Sequence, residues 1–318
     1  MKTQHSSQKI LITGGTGFAG SHLVQALLDT KQTNIHVTSL SGKNKFIGSL
    51  LPQENIHQLD LLDPAATQDL LKKLQPTQIY ALASIAEVGK SFQKARKILQ
   101  ENTSLYLNLL EAVRDQTPDA RILAVLSADG YKPSDKPIAE NHRLSPLNPY
   151  GVSKVTQEML CDSFAQAYDL SIVKVRPFNH IGPRQLPHFV VSAFAEQIVE
   201  IENGTQSELE VGNLTATRDF TDVRDTVLAY ILLMKKGIPG EVYNVGSGTG
   251  YQIQEILDQL VGLSKLDISV KQDPSRMRPI DVPYMVADIT KISQLGWSPT
   301  IPLKETLARI IEYWRNTL

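Results

Sequence analysis

The sequence predicts an α/β protein, a doubly wound parallel sheet carrying a smaller, discontinuous second domain. Three observations predict it. Short β-branched runs alternate with helical patterns through the first half of the chain. A glycine-rich turn, Gly14-x-x-Gly17-x-x-Gly20, joins the first strand pattern to the first helix pattern. Beyond residue 180 the alternation loosens and loop signals multiply. Alternating strand and helix is the pattern of a parallel sheet covered on both faces.

In chain order the strand patterns are KILIT, IHVTSL, NIHQLDL, QIYALAS, RILAVLS and SIVKVRP. Between them lie GSHLVQALLDT, TQDLLKKLQ, RKILQENTSLYLNLLEAVRD and GVSKVTQEMLCDSFAQAY, each with apolar residues recurring at i, i+3 and i+4. In the second half, FVVSAFAEQIVEIE and DTVLAYILLMKK read as helices, and EVYNVG reads as one more strand able to rejoin the main sheet. The expected division is a dinucleotide-binding domain over 1–178, rejoined by about 219–246, and a substrate domain mainly over 179–318. Ligands of such sheets gather at the carboxyl ends of the strands.

Bulk properties narrow the partners. With 32 basic and 33 acidic residues the net charge is −1, which gives no reason to expect nucleic acid or an acidic membrane. The single cysteine, Cys161, excludes an intrachain disulfide and fits a reducing, cytoplasmic setting. The start MKTQHSSQK has no apolar signal region, and the longest apolar run, VLAYILLM, is far short of a membrane span. The seven histidines show no H-x-x-x-H spacing, so no metal is expected. Cys161 falls in the apolar stripe of its helix and is expected to pack in a core or an interface.

The glycine turn follows a strand and opens a helix, the context that makes such glycines meaningful. The helix that follows offers free N–H groups and a positive dipole end to a pyrophosphate. Gly14, Gly17 and Gly20, with Phe18 and Ala19 between them, are therefore expected to hold a nicotinamide dinucleotide. An NAD site places an acidic residue about 20 residues on. Here that stretch reads HVTSLSGKNK, without Asp or Glu, while Ser39, Ser41, Lys43 and Lys45 suit a 2′-phosphate. NADP(H) is favoured, with NAD(H) as the alternative. Asp60, at the end of the third strand, is placed to meet the adenine or to cap a helix; Leu61, Leu82 and Ala83 complete the expected cofactor contacts.

NPYGVSKVTQEML puts Tyr150 and Lys154 four residues apart at a helix start, so both side chains leave one face. A neighbouring ammonium and a nicotinamide cation both favour phenolate and draw a tyrosine down from its usual value near 10. Such a tyrosine can give a proton to a carbonyl oxygen or take one in reverse. VLSADGY ends a strand at Ser127, whose hydroxyl can hold the same oxygen.

With these features in place, the sequence resembles the extended short-chain dehydrogenase/reductase family, whose dinucleotide domain is a Rossmann fold. The resemblance rests on TGGTGFAGSHL, the Ser127…Tyr150-x-x-x-Lys154 set, RPFNHIGP, RDFTDVRD, EVYNVGSG and MRPID, and it runs over essentially the whole chain. It implies that Ser127, Tyr150 and Lys154 are the catalytic triad. It further implies that Asp129, Asn179, Arg184, Val211, Arg218 and Arg278 contact substrate, with Arg218 and Arg278 on a diphosphate. A guanidinium fork suits that charge; a salt bridge with Asp219 or Asp281 is the alternative for each arginine. Arg276 is a weaker candidate for the same task. The implied reaction is NAD(P)H-dependent reduction of the C4 keto group of a GDP-4-keto-6-deoxyhexose, giving a GDP-6-deoxyhexose such as GDP-D-rhamnose. A GDP-mannose 4,6-dehydratase or another nucleotide-sugar epimerase or reductase is the alternative. The dehydratases resembled carry Glu two residues after the triad hydroxyl, where this chain has Asp129. Ala81, Ala86, Glu87, Leu105, Tyr106 and Lys132 depart from the family's usual residues, and the Ala86/Glu87 pair bears on which sugar is bound. A cofactor binder without turnover would have a broken triad. The two long amphipathic helices around residues 96–115 and 151–168 are expected to form a homodimer seam.

Overall fold

A computed structural model describes residues 8–86, 88–277 and 280–318. The first unit comprises Met1–Gly130, Pro146–Arg176 and Val227–Tyr243; the second comprises Tyr131–Ser145, Pro177–Thr226 and Asn244–Leu318.

In the first unit, strands β1 (Ile10–Thr13), β2 (Ile35–Ser39), β3 (Ile56–Gln58), β4 (Gln78–Ala81), β5 (Arg121–Val125) and β6 (Ile172–Pro177) alternate with helices α1 (Phe18–Asp29), α2 (Pro64–Leu74), α3 (Ala95–Gln116) and α4 (Pro149–Tyr168). The sheet order is β10-β6-β5-β4-β1-β2-β3, with β10 being Val242–Val245. The pairs β3–β2, β2–β1, β1–β4, β4–β5 and β5–β6 are all parallel. The strand order reverses between β1 and β4, the switch point at whose strand carboxyl ends such sheets bind ligands. This is the expected doubly wound sheet, and EVYNVG does rejoin it as β10.

Local chemistry explains these elements. All four residues of β1 and all six of β6 are buried, as strands covered by helices on both faces must be. Asp63 caps α2 by accepting from the Ala66 N–H, with Pro64 at the first helical position. Asn148 caps α4 in the same way, through the Gly151 N–H, with Pro149 first. Leu11, Ile79, Leu109, Ile122, Cys161 and Ile172 share one buried cluster, so Cys161 is a core residue.

The second unit has its own core, containing Val191, Phe194, Ile198, Leu209, Phe220, Ile256, Ile310 and Trp314. Its helices are α5 (Val190–Glu202), α7 (Ile253–Val261), α8 (Thr290–Ser293) and α9 (Leu303–Arg315), while α6 (Val223–Lys236) runs on from its strand β9 (Thr217–Asp222). β9 pairs with β7 (Asn179–Ile181), β11 (Gly250–Gln252) and β13 (Tyr284–Met285); β8 (Leu209–Val211) pairs with β12 (Val270–Gln272).

Candidate active site

The glycine turn is built for close approach. Gly14 has φ +66°, a left-handed conformation natural to glycine, and a Cβ there would meet the Ala83 backbone at 3.2 Å. A Cβ on Gly20 would lie 2.5 Å from the Gly14 carbonyl oxygen, so the third glycine lets α1 sit directly on the turn. Gly17 stands at the N-cap of α1 and supplies no side-chain acceptor to the first turn. The opposite wall is fixed by Thr13, whose hydroxyl accepts from the Leu82 and Ala83 N–H groups at 3.1 Å each. A helix N-terminus without a side-chain cap, beside a turn with no Cβ in the way, fits a dinucleotide pyrophosphate.

At the end of β2, Ser39 is buried: its hydroxyl donates to the Lys43 carbonyl (3.1 Å) and accepts from Thr16 (3.2 Å). Ser41 caps the same loop by accepting from the Lys43 N–H, leaving Ser41, Lys43 and Lys45 exposed. Asp60 is exposed and accepts from the Leu62 N–H at 2.9 Å, while the helix cap falls to Asp63. Leu61 is buried in the core beside α3.

The chemistry-bearing group forms where β5 ends and α4 begins. The Ser127 hydroxyl lies beside the Tyr150 phenol and favours its ionised form. Ser127 donates to Asp129 Oδ2 (3.2 Å) and accepts from the Asp129 N–H (3.1 Å). Asp129 Oδ1 accepts from Asn148 Nδ2 at 3.2 Å. Lys154, one turn beyond Tyr150, is 3% exposed; its Nζ donates to the Val125 carbonyl at 3.1 Å and lies 5.8 Å from the Tyr150 ring centre. Burial pushes the Lys154 ammonium down to about 7. Tyr150 moves the other way from the sequence expectation. Burial raises its phenol well above the usual value, the Asp129 charge adds to the rise, and the Ser127 hydroxyl opposes it.

The helix that carries this pair is fastened on several sides. Glu158 on α4 receives a bidentate ion pair from Arg176 on β6, with Nε to Oε2 at 2.8 Å, and Lys174 pairs with Asp162. Asn102 on α3 donates to Ser153 Oγ (3.0 Å) and to the Ile85 carbonyl (3.2 Å) and accepts from the Ile85 N–H (2.8 Å). Gln157 donates to the Asn102 carbonyl at 2.7 Å. Sequence reading missed Asn148, Ser153 and Gln157. Asn148 was legible as a helix start, since a capping residue followed by proline is one; the others join only through packing.

In the second unit, Arg218 pairs with Asp281 (2.6 Å), which also accepts from Asn213 Nδ2 (2.7 Å). Its chain neighbour Asp219 points to the other side of β9 and is fully buried. There it accepts from the Ser247, Gly248 and Ala287 N–H groups and from the Ser247 hydroxyl. Asn179 is exposed and donates to the Asp219 carbonyl at 3.1 Å. Arg184 is partly buried in a left-handed backbone conformation, φ 77°. The Val211 side chain is buried in the second core, and Arg276 pairs with Glu210 and Asp273. Arg278 and Glu87 lie outside the described residues.

With the sheet order, the glycine turn and the Ser–Tyr–Lys group in place, comparison with known proteins decides the family. The family model described as GDP-mannose 4,6 dehydratase matches residues 11–310. The chain belongs to this family, within the extended short-chain dehydrogenases/reductases. A relative from Pseudomonas aeruginosa, GDP-6-deoxy-D-mannose reductase, is 34% identical, with 98% of each chain covered. The solved structure of RMD from the same organism, complexed with NADPH, superposes with a TM-score of 0.85 at 32% identity, covering 98% of this chain and 100% of that one. A Thermus thermophilus UDP-glucose 4-epimerase complexed with NAD gives a TM-score of 0.88 at 27% identity, with the same coverage. This member of the GDP-mannose 4,6 dehydratase family is therefore an NAD(P)-dependent nucleotide-sugar oxidoreductase. Among the described residues, no helix is long and apolar enough to cross a membrane.

Proposed function

We propose that this enzyme reduces the C4 keto group of a GDP-4-keto-6-deoxyhexose to the alcohol, with NADPH as the favoured reductant. The observation that carries the reading is the Ser127–Asp129–Asn148 set around Tyr150. A 4,6-dehydratase needs an acid–base group for elimination as well as the tyrosine. Here Asp129 has one carboxylate oxygen on Ser127 and the other on Asn148, and Ala128 has no proton to give. The raised phenol of Tyr150 is the protonated form that a reduction consumes.

NADPH, when bound, supplies the hydride. Gly14, Gly17 and the first turn of α1 would hold its pyrophosphate, and Ser41, Lys43 and Lys45 would meet its 2′-phosphate. Phe18, Ala19, Gly20, Ser39, Asp60, Leu61, Leu82 and Ala83 complete that site by packing and loop geometry. With substrate bound, Ser127 turns its proton from Asp129 to the keto oxygen and so orients it. Tyr150 Oη gives its proton to that oxygen as C4 gains the hydride, so the ketone becomes an alcohol and the tyrosine a phenolate that water reprotonates. Lys154 carries the positive charge that offsets this phenolate. Arg218 releases Asp281 to take the diphosphate, assisted by Arg278 and Arg184, while Asn179, Asp129 and the Val211 segment contact substrate. Similarity to the reductase from Pseudomonas aeruginosa and to RMD complexed with NADPH supports the same reading.

The test follows nicotinamide absorbance with purified enzyme, NADPH and a GDP-4-keto-6-deoxyhexose. Stoichiometric NADPH consumption is expected. Formation of a 4-keto sugar from GDP-mannose without net NADPH use would make the enzyme a dehydratase instead. Tyr150→Phe is expected to retain NADPH binding and lose turnover by at least about a hundredfold.

A further inference from the structure

Asn148 does two things at once. Its Oδ1 accepts from the Gly151 N–H at 2.8 Å, closing the first turn of α4, and its Nδ2 donates to Asp129 Oδ1 at 3.2 Å. The helix start is also pressed onto the same residue from the backbone side. A Cβ on Gly151 would lie 2.3 Å from the Asp129 carbonyl oxygen and 3.0 Å from Pro146 Cβ. Asp129 in turn holds Ser127 twice, through its carboxylate and through its N–H. One side chain therefore links the turn carrying Ser127 to the helix carrying Tyr150.

We propose that Asn148 is a positioning residue for the reduction, setting the Ser127–Tyr150 geometry through Asp129. The inference rests on the reading of Ser127 and Tyr150 as the groups that meet the keto oxygen. The chemistry needs this link. A serine hydroxyl has one proton, and Asp129 Oδ2 takes it here, so the carboxylate sets where the Ser127 oxygen stands until a keto oxygen takes that proton in its place. A carboxylate fixed at only one oxygen can rotate and carry the Ser127 hydroxyl with it. Asn148 pins the second oxygen. An aspartate at 148 would cap the helix equally well but would set two carboxylates against each other.

Asn148→Ser separates the two tasks. Serine caps helices about as well as asparagine, so the fold and NADPH affinity are expected to be unchanged, but its side chain is too short to reach Asp129. Turnover is expected to fall on the order of tenfold with KM within about twofold, the signature of lost alignment rather than lost binding. Asp129→Ala, which removes the hold on Ser127 itself, is expected to cost at least as much, and the double variant no more than Asp129→Ala alone, because Asn148 acts through Asp129. Full turnover in Asn148→Ser, or losses that multiply in the double variant, would overturn the proposal. Backbone amide exchange gives a readout that needs no substrate. In Asn148→Ser the Asp129 amide is expected to exchange faster while the Gly151 amide stays protected. Unchanged exchange at Asp129 overturns the link even if the proposed sugar is not the substrate, and an inactive wild-type enzyme with the expected exchange pattern would count against the sugar alone.

Discussion

Lys154, proposed to serve the chemistry, is buried at a cost to the fold. Its ammonium is buried against the Val125 carbonyl, and burial moves it from 10.5 in an open chain to about 7 here. Between these values the unfolded chain binds more protons than the folded one, so stability rises with pH across that window. The penalty for burying the charge is absent above pH 10.5 and fully present once pH has fallen to about 7. Lys154→Met removes this dependence. Its stability relative to wild type is expected to grow as pH falls from about 10 to 7, by up to a few kcal/mol, while turnover disappears. Denaturant unfolding of both proteins across that range measures it; a constant difference would show that folding does not lower the Lys154 ammonium. The Tyr150–Lys154 spacing was legible in the sequence, because four residues make about one helical turn. The direction of the Tyr150 shift was not, since it depends on Asp129 and on burial, neither of which spacing reveals.

At the scale of elements, the question is what fixes α4. Arg176 and Glu158 are 4% and 7% exposed, and they form a two-pronged ion pair between β6 and the helix. Removing one partner strands a buried charge. Arg176→Met is expected to cost about 3–5 kcal/mol, whereas Arg176→Met with Glu158→Leu recovers most of it. Urea midpoints of the three proteins check this; an equally unstable double variant would mean that packing, rather than charge, is lost. The glycine turn makes a second prediction. Gly20→Val drives side-chain carbons into the Gly14 carbonyl oxygen, which lies only 2.5 Å from where the first of them would stand, so α1 must move off the turn. NADPH affinity, by fluorescence titration, is expected to fall at least about tenfold. The main strands and helices of the first unit could be read because each spans enough residues to show its period. The strands β7, β8, β11, β12 and β13 have three residues or fewer and show none. Helix α9 carries a readable signal as well: Pro302 precedes it, and Leu307, Ile310, Ile311 and Trp314 form its buried stripe.

For the whole molecule, the homodimer remains a proposal, and it has a specific surface. Met159 is 67% exposed and Val152 39% exposed, both on α4, a helix whose other face is buried against α3 and the sheet. Sedimentation at micromolar concentration is expected to give a dimer, and Met159→Glu is expected to give monomers. A wild-type monomer would remove the proposal. Cofactor choice is likewise a property of the loop as a unit. Ser39 and Ser41 hold its backbone, and Lys43 and Lys45 are left in solvent. Replacing both lysines with alanine is expected to raise KM for NADPH about tenfold while leaving KM for NADH unchanged. Equal effects on both cofactors would argue against a 2′-phosphate at this loop.

The sequence by itself determined the sheet class, the position of the glycine turn and the one-turn spacing of Tyr150 and Lys154. Each of these is local: it needs only a period, a turn conformation or a one-turn spacing. Only the tertiary structure decided that Arg218 meets Asp281 while Asp219 turns into a buried cage of N–H groups, and that Asn148 joins the Ser127 turn to the Tyr150 helix. Those partners lie up to 68 positions apart in the chain, and a distance that long leaves no trace in any pattern of neighbours.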